Sequence, residues 1–285
     1  MILPSVIILF IYCYIPMAGI VISFQQFNPF KGFLHSPWVG LENFRYMLSL
    51  PDIYQVIWNT VFISVMKILA GLFVPIVMAL LLNEVGNEKY KRIVQTSIYF
   101  PYFLSWVILS GILMDILSIN GGVVNQLLGL IGIEPVYFLG NDKIFPFVLV
   151  ITDVWKGFGF STIVYMAALT GIDPSLYEAC IVDGGGRWKQ TLHITLPGIM
   201  PTIILLATLS LGNVLNAGFD QVFTLYSPSV YRTGDILDTF IYRLGLESRQ
   251  YSVATAVGLF KSVISFILIL TSYKMADRFA NYKIF

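Results

Sequence analysis

Long apolar stretches separated by short polar segments run through the whole chain. Six of them are long enough to qualify as membrane spans: 2–24, 54–82, 94–117, 144–170, 199–221 and 251–273. A helix needs about 20 apolar residues to cross the hydrocarbon core of a bilayer. The stretches lack the alternation, in segments of about ten residues, that is typical of transmembrane strands. The pattern therefore predicts an all-α integral membrane protein with six transmembrane helices, forming a single domain over residues 1–285.

The composition agrees with a membrane location. Hydrophobic residues make up 57% of the chain and charged residues 12%, and the mean hydropathy is +0.79. A soluble domain of this composition would expose large apolar patches. The net charge of +1 and the lack of a basic run give no indication of nucleic-acid binding. Cys13 and Cys180 lie far apart in sequence, so neither a disulfide framework nor a metal site is predicted.

Lysine and arginine indicate which side of the membrane each loop faces. If residues 171–198 are cytoplasmic, the inner segments hold eight basic residues in about 50 positions: Lys89, Lys91, Arg92, Arg187, Lys189, Lys274, Arg278 and Lys283. The outer loops then hold six in about 80 positions: Lys31, Arg45, Lys143, Arg232, Arg243 and Arg249. Because cytoplasmic loops carry an excess of basic residues, this distribution favours a cytoplasmic loop at 171–198 and cytoplasmic termini.

The three outer segments differ in character. Residues 25–52 are rich in aromatic residues, prolines and glycines, which is typical of a segment at the headgroup level, although a partner contact is the alternative. Residues 121–133 predict a short amphipathic helix on the outer face. Residues 222–250 hold most of the outer charge, so they are expected either to dock a soluble partner or to form a solvated loop.

The inner segment from Glu178 to Pro197 reads EACIVDGGGRWKQTLHITLP and is charged in a chain that otherwise avoids charge. A short helix is predicted over Pro174 to Val182, followed by a glycine break at 184–186. A second short helix is predicted to run to Leu196 and to stop at Pro197. Two short helices at a glycine corner would form a compact knob that is suited to contact a partner. A merely capped cytoplasmic loop is the alternative.

This segment resembles the EAA loop of the permease subunits of ATP-binding-cassette importers. Six positions fit the pattern E-A-A-x3-G-x9-I-x-L-P: Glu178, Ala179, Gly184, Ile194, Leu196 and Pro197. Two departures are small, since Cys180 replaces a usual alanine and Gly185 stands where alanine often follows the glycine. The resemblance implies that contact with an ATPase is made by Glu178, Ala179, Asp183, Gly184, Leu196 and Pro197. Physically, a glutamate offers an anionic contact, a small alanine permits close approach, and a glycine permits a sharp turn.

A wider resemblance extends from Pro4 to Asp277. The stretches YEACIVDGGGRWKQTLHITLPGIMPT, LNAGFDQVFTLYSPSVYRTGDILDTFIYR and YSVATAVGLFKSV are similar to permeases that import polysaccharides and oligosaccharides, relatives of the alginate and lipoprotein-linked sugar permeases. The resemblance implies the type I importer permease fold in a bacterial cytoplasmic membrane. It implies three kinds of partner: a second permease in a heterodimer, an ATPase dimer inside, and a sugar-binding protein outside.

The chain has no G-x-x-x-x-G-K-[ST] phosphate loop. We therefore expect no enzyme activity and no cofactor in this chain, with ATP and magnesium bound by the partner ATPase. Energy would reach the permease through the knob. Pro75, Pro101 and Pro197, near the predicted inner ends of three spans, are expected to supply kinks.

Polar residues inside the predicted spans are candidates for the substrate passage, because such groups are costly in lipid. Asn213, Asn216 and Asp220 have the spacing i, i+3, i+7, which would place them on one face of the fifth span, and Thr224 continues that face. Such a stripe could hydrogen-bond sugar hydroxyls. The alternative is contact between helices.

The fourth span adds a second candidate group. It carries Asp153, Trp155 and Lys156, and an aromatic ring could stack on the apolar face of a pyranose. In the alternative interpretation, Asp153 and Lys156 pair with each other or with Lys67 and Lys261 on other spans.

Two other classes of function remain as alternatives. An ion-coupled secondary transporter would need an inverted repeat and broken helices at the midplane, and no internal repeat is visible between the halves. A membrane enzyme would need clustered ligands or catalytic groups at one membrane face. The two histidines, His35 and His193, fall on opposite sides of the membrane in the predicted topology. An importer permease for a solute other than sugar is a further alternative.

Overall fold

The structure is a computed structural model that describes residues 2–280, with side chains described as far as Lys274. Five helices are long and apolar enough to cross a membrane: Leu3–Phe24, Ile53–Asn83, Phe145–Leu169, Arg187–Leu211 and Tyr251–Lys274. They are called here the first, second, fourth, fifth and sixth spans. The third span is a bent pair, Glu88–Phe103 and Trp106–Ile116. The predicted all-α membrane fold is confirmed. Lys283, one of the basic residues used for orientation, lies outside the described residues.

The third span, predicted over 94–117 with a kink at Pro101, is a broken helix. The helix direction bends by 107° between its two halves. The bend follows a tight 3₁₀ turn, Phe100–Phe103, which contains Pro101. Proline lacks an N–H and removes one hydrogen bond from a helix, and the kink expected at Pro101 is observed. The second half begins with its own cap, because the Ser105 hydroxyl accepts the Ile108 N–H at 3.3 Å.

The fifth span differs from the prediction at both ends. It begins at Arg187 and passes through Pro197 to Leu211, whereas a stop at Pro197 and a span over 199–221 were expected. A π-helical turn, Thr191–Thr195, directly precedes the proline and widens the helix there, which relieves the clash that proline causes in a regular helix. The chain leaves the helix after Leu211 and re-enters one at Phe219–Leu225, after Gly218 with φ of +90°.

Buried apolar clusters join the spans. In the largest, Ile63 of the second span and Leu149 of the fourth pack with Val222 of the helix Phe219–Leu225. Near the end of the bundle that carries residues 171–198, Tyr165 packs against Ala79 and Ile199. The first span contrasts with these, because none of the residues from 2 to 17 is buried within the chain.

The outer segments contain short helices. Val123–Leu130 confirms the helix expected within 121–133. Residues 25–52 contain the helices Gly32–His35 and Glu42–Ser49. Residues 222–250 contain, after the end of Phe219–Leu225, the helical turns Pro228–Val230, Tyr231–Gly234, Leu237–Tyr242 and Arg243–Glu247.

Candidate functional site

The loop between the fourth and fifth spans forms a capped corner, residues 174–186. Its first helix is Pro174–Val182, as the sequence predicted. Asp173 caps it by accepting the Ser175 N–H at 2.9 Å, and these hydrogen bonds with Ser175 hold the pKa of the Asp173 carboxyl below its ordinary value. The helix is followed, after Asp183, by Gly184, whose φ of +76° is the left-handed conformation that favours glycine. The Gly185 N–H then donates to the Cys180 carbonyl at 2.7 Å.

The surface of this corner is open. Glu178, Ala179 and Asp183 are all exposed. Around them lie apolar side chains that the chain leaves uncovered: Leu176, Ile181, Val182 and Trp188. Val182 is 87% exposed and Trp188 75% exposed. Exposed apolar groups beside charged ones are typical of a protein interface, so the corner has the surface of a docking element.

The corner is attached firmly to the membrane domain. The Tyr177 hydroxyl lies 3.1 Å from the hydroxyl of Thr195, which is buried in the fifth span. Arg187, the first residue of that span, pairs with Glu84 after the second span at 3.1 Å. Leu196 is half-buried and Pro197 exposed within the same continuous helix. A displacement of the corner would therefore be passed directly to the fifth span.

A second group of polar residues lies in the middle of the membrane domain, around Lys67 of the second span. Its ammonium donates to the Asp153 carboxylate at 3.3 Å, to the Ala217 carbonyl at 2.7 Å, and to the Gln221 side-chain oxygen. Gln221 in turn donates to the Leu149 carbonyl, at 2.8 Å. Asp153 thus pairs with Lys67, as one of the alternatives from the sequence proposed. The network ties two spans to the non-helical segment 212–218.

A cavity of about 240 Å³ opens beside this network. Its lining residues are Ser64, Lys67, Ile68, Gly71, Asp153, Ser210, Asn213, Asn216, Ala217 and Gly218. Of the five residues predicted for the substrate passage, Asp153, Asn213 and Asn216 meet here. Trp155 and Asp220 are exposed and do not line this cavity.

The geometric basis of one prediction was wrong. Asn213, Asn216 and Asp220 do not share a helical face, because the fifth span ends at Leu211 and Asp220 belongs to the next helix. Sequence reasoning also missed Ser64 and Ser210 as cavity residues and Gln221 as a member of the network. The signal that could have found the network was Lys67, since an intramembrane lysine demands polar partners nearby.

The other two intramembrane lysines have different partners. Lys261 pairs with Asp238 of the outer segment at 2.5 Å. Lys156 donates to the Tyr102 carbonyl at 2.7 Å and lies over the rings of Tyr102 and Trp106. The alternative pairings of Lys156 with Asp153, and of Lys261 with either fourth-span residue, are therefore not observed.

The outer segment 222–250 is more structured than a solvated loop. Arg243 pairs with the buried Asp235, and its guanidinium lies 4.1 Å from the ring centroid of Tyr231. Burial raises the pKa of Asp235 to about 6. Arg243 is thus engaged within the chain, whereas Arg232 and Arg249 are exposed. Only those two of the three arginines remain available to a partner.

Known proteins resemble this chain over most of its length. Residues 71–280 match the family described as binding-protein-dependent transport system inner membrane component. A polygalacturonan/rhamnogalacturonan transport system permease of Bacillus subtilis (strain 168) is 40% identical over all of this chain and 89% of the relative.

Two solved structures share the fold. A bacterial ABC transporter involved in the import of the acidic polysaccharide alginate has a TM-score of 0.90 at 39% identity, covering 98% of this chain and 94% of that one. A bacterial alginate ABC transporter in complex with its alginate pentasaccharide-bound periplasmic protein gives a TM-score of 0.89 at 38% identity, over 98% and 93% of the two chains. The chain therefore belongs to the family of binding-protein-dependent transport system inner membrane components, as a membrane-embedded permease of a carbohydrate ABC importer.

Proposed function

We propose that this chain is one half of a permease heterodimer that imports an oligosaccharide or polysaccharide across a bacterial cytoplasmic membrane, with both termini inside. A dimer of ATPases binds ATP and magnesium at the inner face, and a sugar-binding protein delivers the substrate outside. The binding protein is supported by a similar transporter that was solved with its periplasmic protein. The observation that carries the coupling role is the exposed corner from Pro174 to Gly186, which leads without a break into the fifth span.

Coupling follows from this continuity. The first helix of the corner is capped at both ends and hydrogen-bonded to the fifth span, so it moves as a rigid unit rather than as a loose loop. When two ATPases close on ATP, a unit seated in the cleft of one of them is carried along. The inner end of the fifth span then moves with it, and the bundle switches between inward-open and outward-open states.

The substrate passage is proposed to include the cavity beside Lys67. Asn213 and Asn216 offer amide donors and acceptors to sugar hydroxyls, while Ser64 and Ser210 add hydroxyl groups. Because the lysine is already neutralised by Asp153, the cavity presents hydrogen-bonding groups with little net charge. Helix-to-helix contact and passage lining are compatible here, since Lys67 and Gln221 supply the contact and the asparagines line the space.

Uptake by a reconstituted complex tests the function. The chain is co-purified with its partner permease, ATPases and binding protein, placed in proteoliposomes, and given radiolabelled oligosaccharide. We expect uptake to require ATP and binding protein, to stop with an ATPase variant that cannot hydrolyse ATP, and to persist with ionophores. Uptake that collapses with the ion gradient and ignores ATP would establish an ion-coupled carrier instead.

A further inference from the structure

Three lysines that lie well inside the spans, Lys67, Lys156 and Lys261, differ in their counter-charges. Lys67 has Asp153 at 3.3 Å and Lys261 has Asp238 at 2.5 Å. Within the part of the chain that the structure describes, Lys156 has no carboxylate within 4.0 Å, and its ammonium contacts a carbonyl and two aromatic rings instead. The Lys156 ammonium has three N–H donors and uses one of them on the Tyr102 carbonyl, so two are left for another acceptor.

Lys156 lies too far from either end of its helix for its ammonium group to reach water beyond the membrane. It is the twelfth of the 25 residues of Phe145–Leu169, so it lies about 16 Å from the outer end of the helix and slightly further from the inner end. A lysine side chain cannot span either distance. Because a cation facing hydrocarbon at this depth is strongly disfavoured, Lys156 must face either the passage or another protein.

The groups around Lys156 suit a sugar ring. Tyr102 and Phe160 stack with ring centroids 4.3 Å apart and planes within 7°. Both rings are partly exposed, at 41% and 44%. The ammonium lies 5.2 Å from the centroid of the Tyr102 ring and 5.7 Å from that of Trp106. A cation beside partly exposed aromatic rings can bind a carboxylate while an uncovered ring face stacks on the apolar side of a pyranose. The bend of the third span creates this arrangement, because it brings Tyr102 and Trp106 over the fourth span.

We propose that Lys156 binds the carboxylate of a uronate residue, and that the transported saccharide is acidic. The proposal rests on the proposed function, because it assumes that a saccharide passes through this chain. Lys156 lies one helical turn from Asp153, which lines the polar cavity. The cavity and the Lys156 site are therefore neighbouring positions along the fourth span. Asp153 is neutralised by Lys67, and the unpaired positive charge of this region therefore comes from Lys156. A structure 39% identical to this chain is described as involved in importing an acidic polysaccharide.

Transport of a matched pair of substrates tests the site. The reconstituted complex is given an oligouronate or its carboxyl-reduced counterpart, which has the same length and linkage without the charge. We expect Lys156→Gln to raise the KM for the oligouronate about tenfold or more, and to change uptake of the reduced sugar much less. Lys156→Arg should retain the preference of the wild type. Lys143→Gln, at an exposed outer position, should match the wild type on both substrates. For each variant, the ratio of the KM for the oligouronate to the KM for the reduced sugar is divided by the same ratio for the wild type, which cancels any selection by the binding protein.

The outcomes separate the two levels of the proposal. Equal losses of uptake for both substrates in Lys156→Gln would overturn the uronate site. Failure of that variant to co-purify with the partner permease would also overturn it, by showing that the carboxylate that binds Lys156 belongs to the partner. Wild-type complex that imports the reduced sugar faster than the oligouronate would overturn the acidic substrate. Wild-type complex that imports no saccharide at all would instead reject the proposed function.

Discussion

The inner corner and the mid-membrane network are built in opposite ways. The corner is one continuous stretch from Pro174 to Gly186, and most of its side chains are exposed. The network around Lys67 draws its partners from positions 86, 150 and 154 residues away, and its lysine is 8% exposed. A docking element can be local in sequence because the partner supplies the other half of the interface. A passage through the membrane has to be assembled from several spans of the same chain.

This difference predicts how each region responds to substitution. If the corner docks on an ATPase as proposed, changes there should leave the fold intact and interrupt coupling, because residues 174–186 lie outside the core clusters. Changes in the network should reduce the stability of the membrane domain before they alter transport, because buried charges lose their partners. Separate measurements of abundance and of transport per folded molecule distinguish the two.

The largest effect is expected at Gly184. A valine there would have to adopt a φ of +76°, which a β-branched residue strongly disfavours, so Gly184→Val should abolish substrate-driven uptake while the spans still insert. A Cβ at this position meets no atom within 4 Å, so the cause is backbone strain rather than a clash. Gly184→Asn is the matched control, since asparagine tolerates the left-handed region, and it should retain much of the uptake. Normal uptake by the valine variant at equal membrane abundance would remove the coupling assignment.

The second effect is expected at Lys67. Lys67→Met leaves the Asp153 carboxylate and the Ala217 carbonyl without their donor. Because the Asp153 side chain is 37% exposed and partly screened by solvent, the cost is expected to be below that of breaking a fully buried pair, about 1–3 kcal/mol. The thermal unfolding temperature in detergent should fall, and less protein should reach the membrane. The double variant Lys67→Met with Asp153→Asn should recover part of that loss, because no uncompensated charge remains. A stable single variant with a selective transport defect would show that Lys67 acts on the substrate and not on the fold.

The two regions also differ in how far the sequence could predict them. The helix Pro174–Val182 and the turn at Gly184 were predictable because caps, glycine and charge are local signals. The end of the fifth span at Leu211 was missed because the following residues remain apolar enough to extend a hydropathy window. Two glycines, Gly212 and Gly218, bracket the non-helical segment and were the local sign of a break.

The network itself could not be read from the sequence. An intramembrane lysine predicts that a polar partner exists, but not which of several distant residues it is. Asp153 was one of the sequence candidates for contact with Lys67, whereas Gln221 was not considered because the predicted fifth span ended at that residue. Pro101 predicted a kink in the third span, but the angle of the bend depends on packing against the fourth span. Gly159 permits that packing, since a Cβ there would lie 2.0 Å from the Ile98 carbonyl oxygen.

A third, intermediate effect is expected at the asparagines of the cavity. Asn213→Leu or Asn216→Leu removes hydrogen-bonding groups from the passage and should lower uptake about five- to hundredfold, corresponding to roughly 1–3 kcal/mol. Assembly should be unchanged, because neither side chain is buried or tied to another span. Asp220→Asn, outside the cavity, should have a smaller effect than either. Loss of assembly with normal transport by the surviving complex would assign the asparagines to helix contact.

The smallest effect is expected on the outer face, at the two exposed arginines. If residues 222–250 dock the binding protein through charge, Arg232→Gln combined with Arg249→Gln should weaken stimulation of the ATPase by that protein. Each exposed contact contributes little, about 1 kcal/mol or less, and salt screens it, so the difference from wild type should be visible at low ionic strength and vanish at high. Arg243 is left unchanged, because its loss would leave Asp235 buried without its ion pair and so disturb the fold rather than the docking. Arg45→Gln, in the segment 25–52, serves as the control for a general loss of outer charge. If the binding protein stimulates the double variant and the wild type equally at all salt concentrations, these arginines have no docking role.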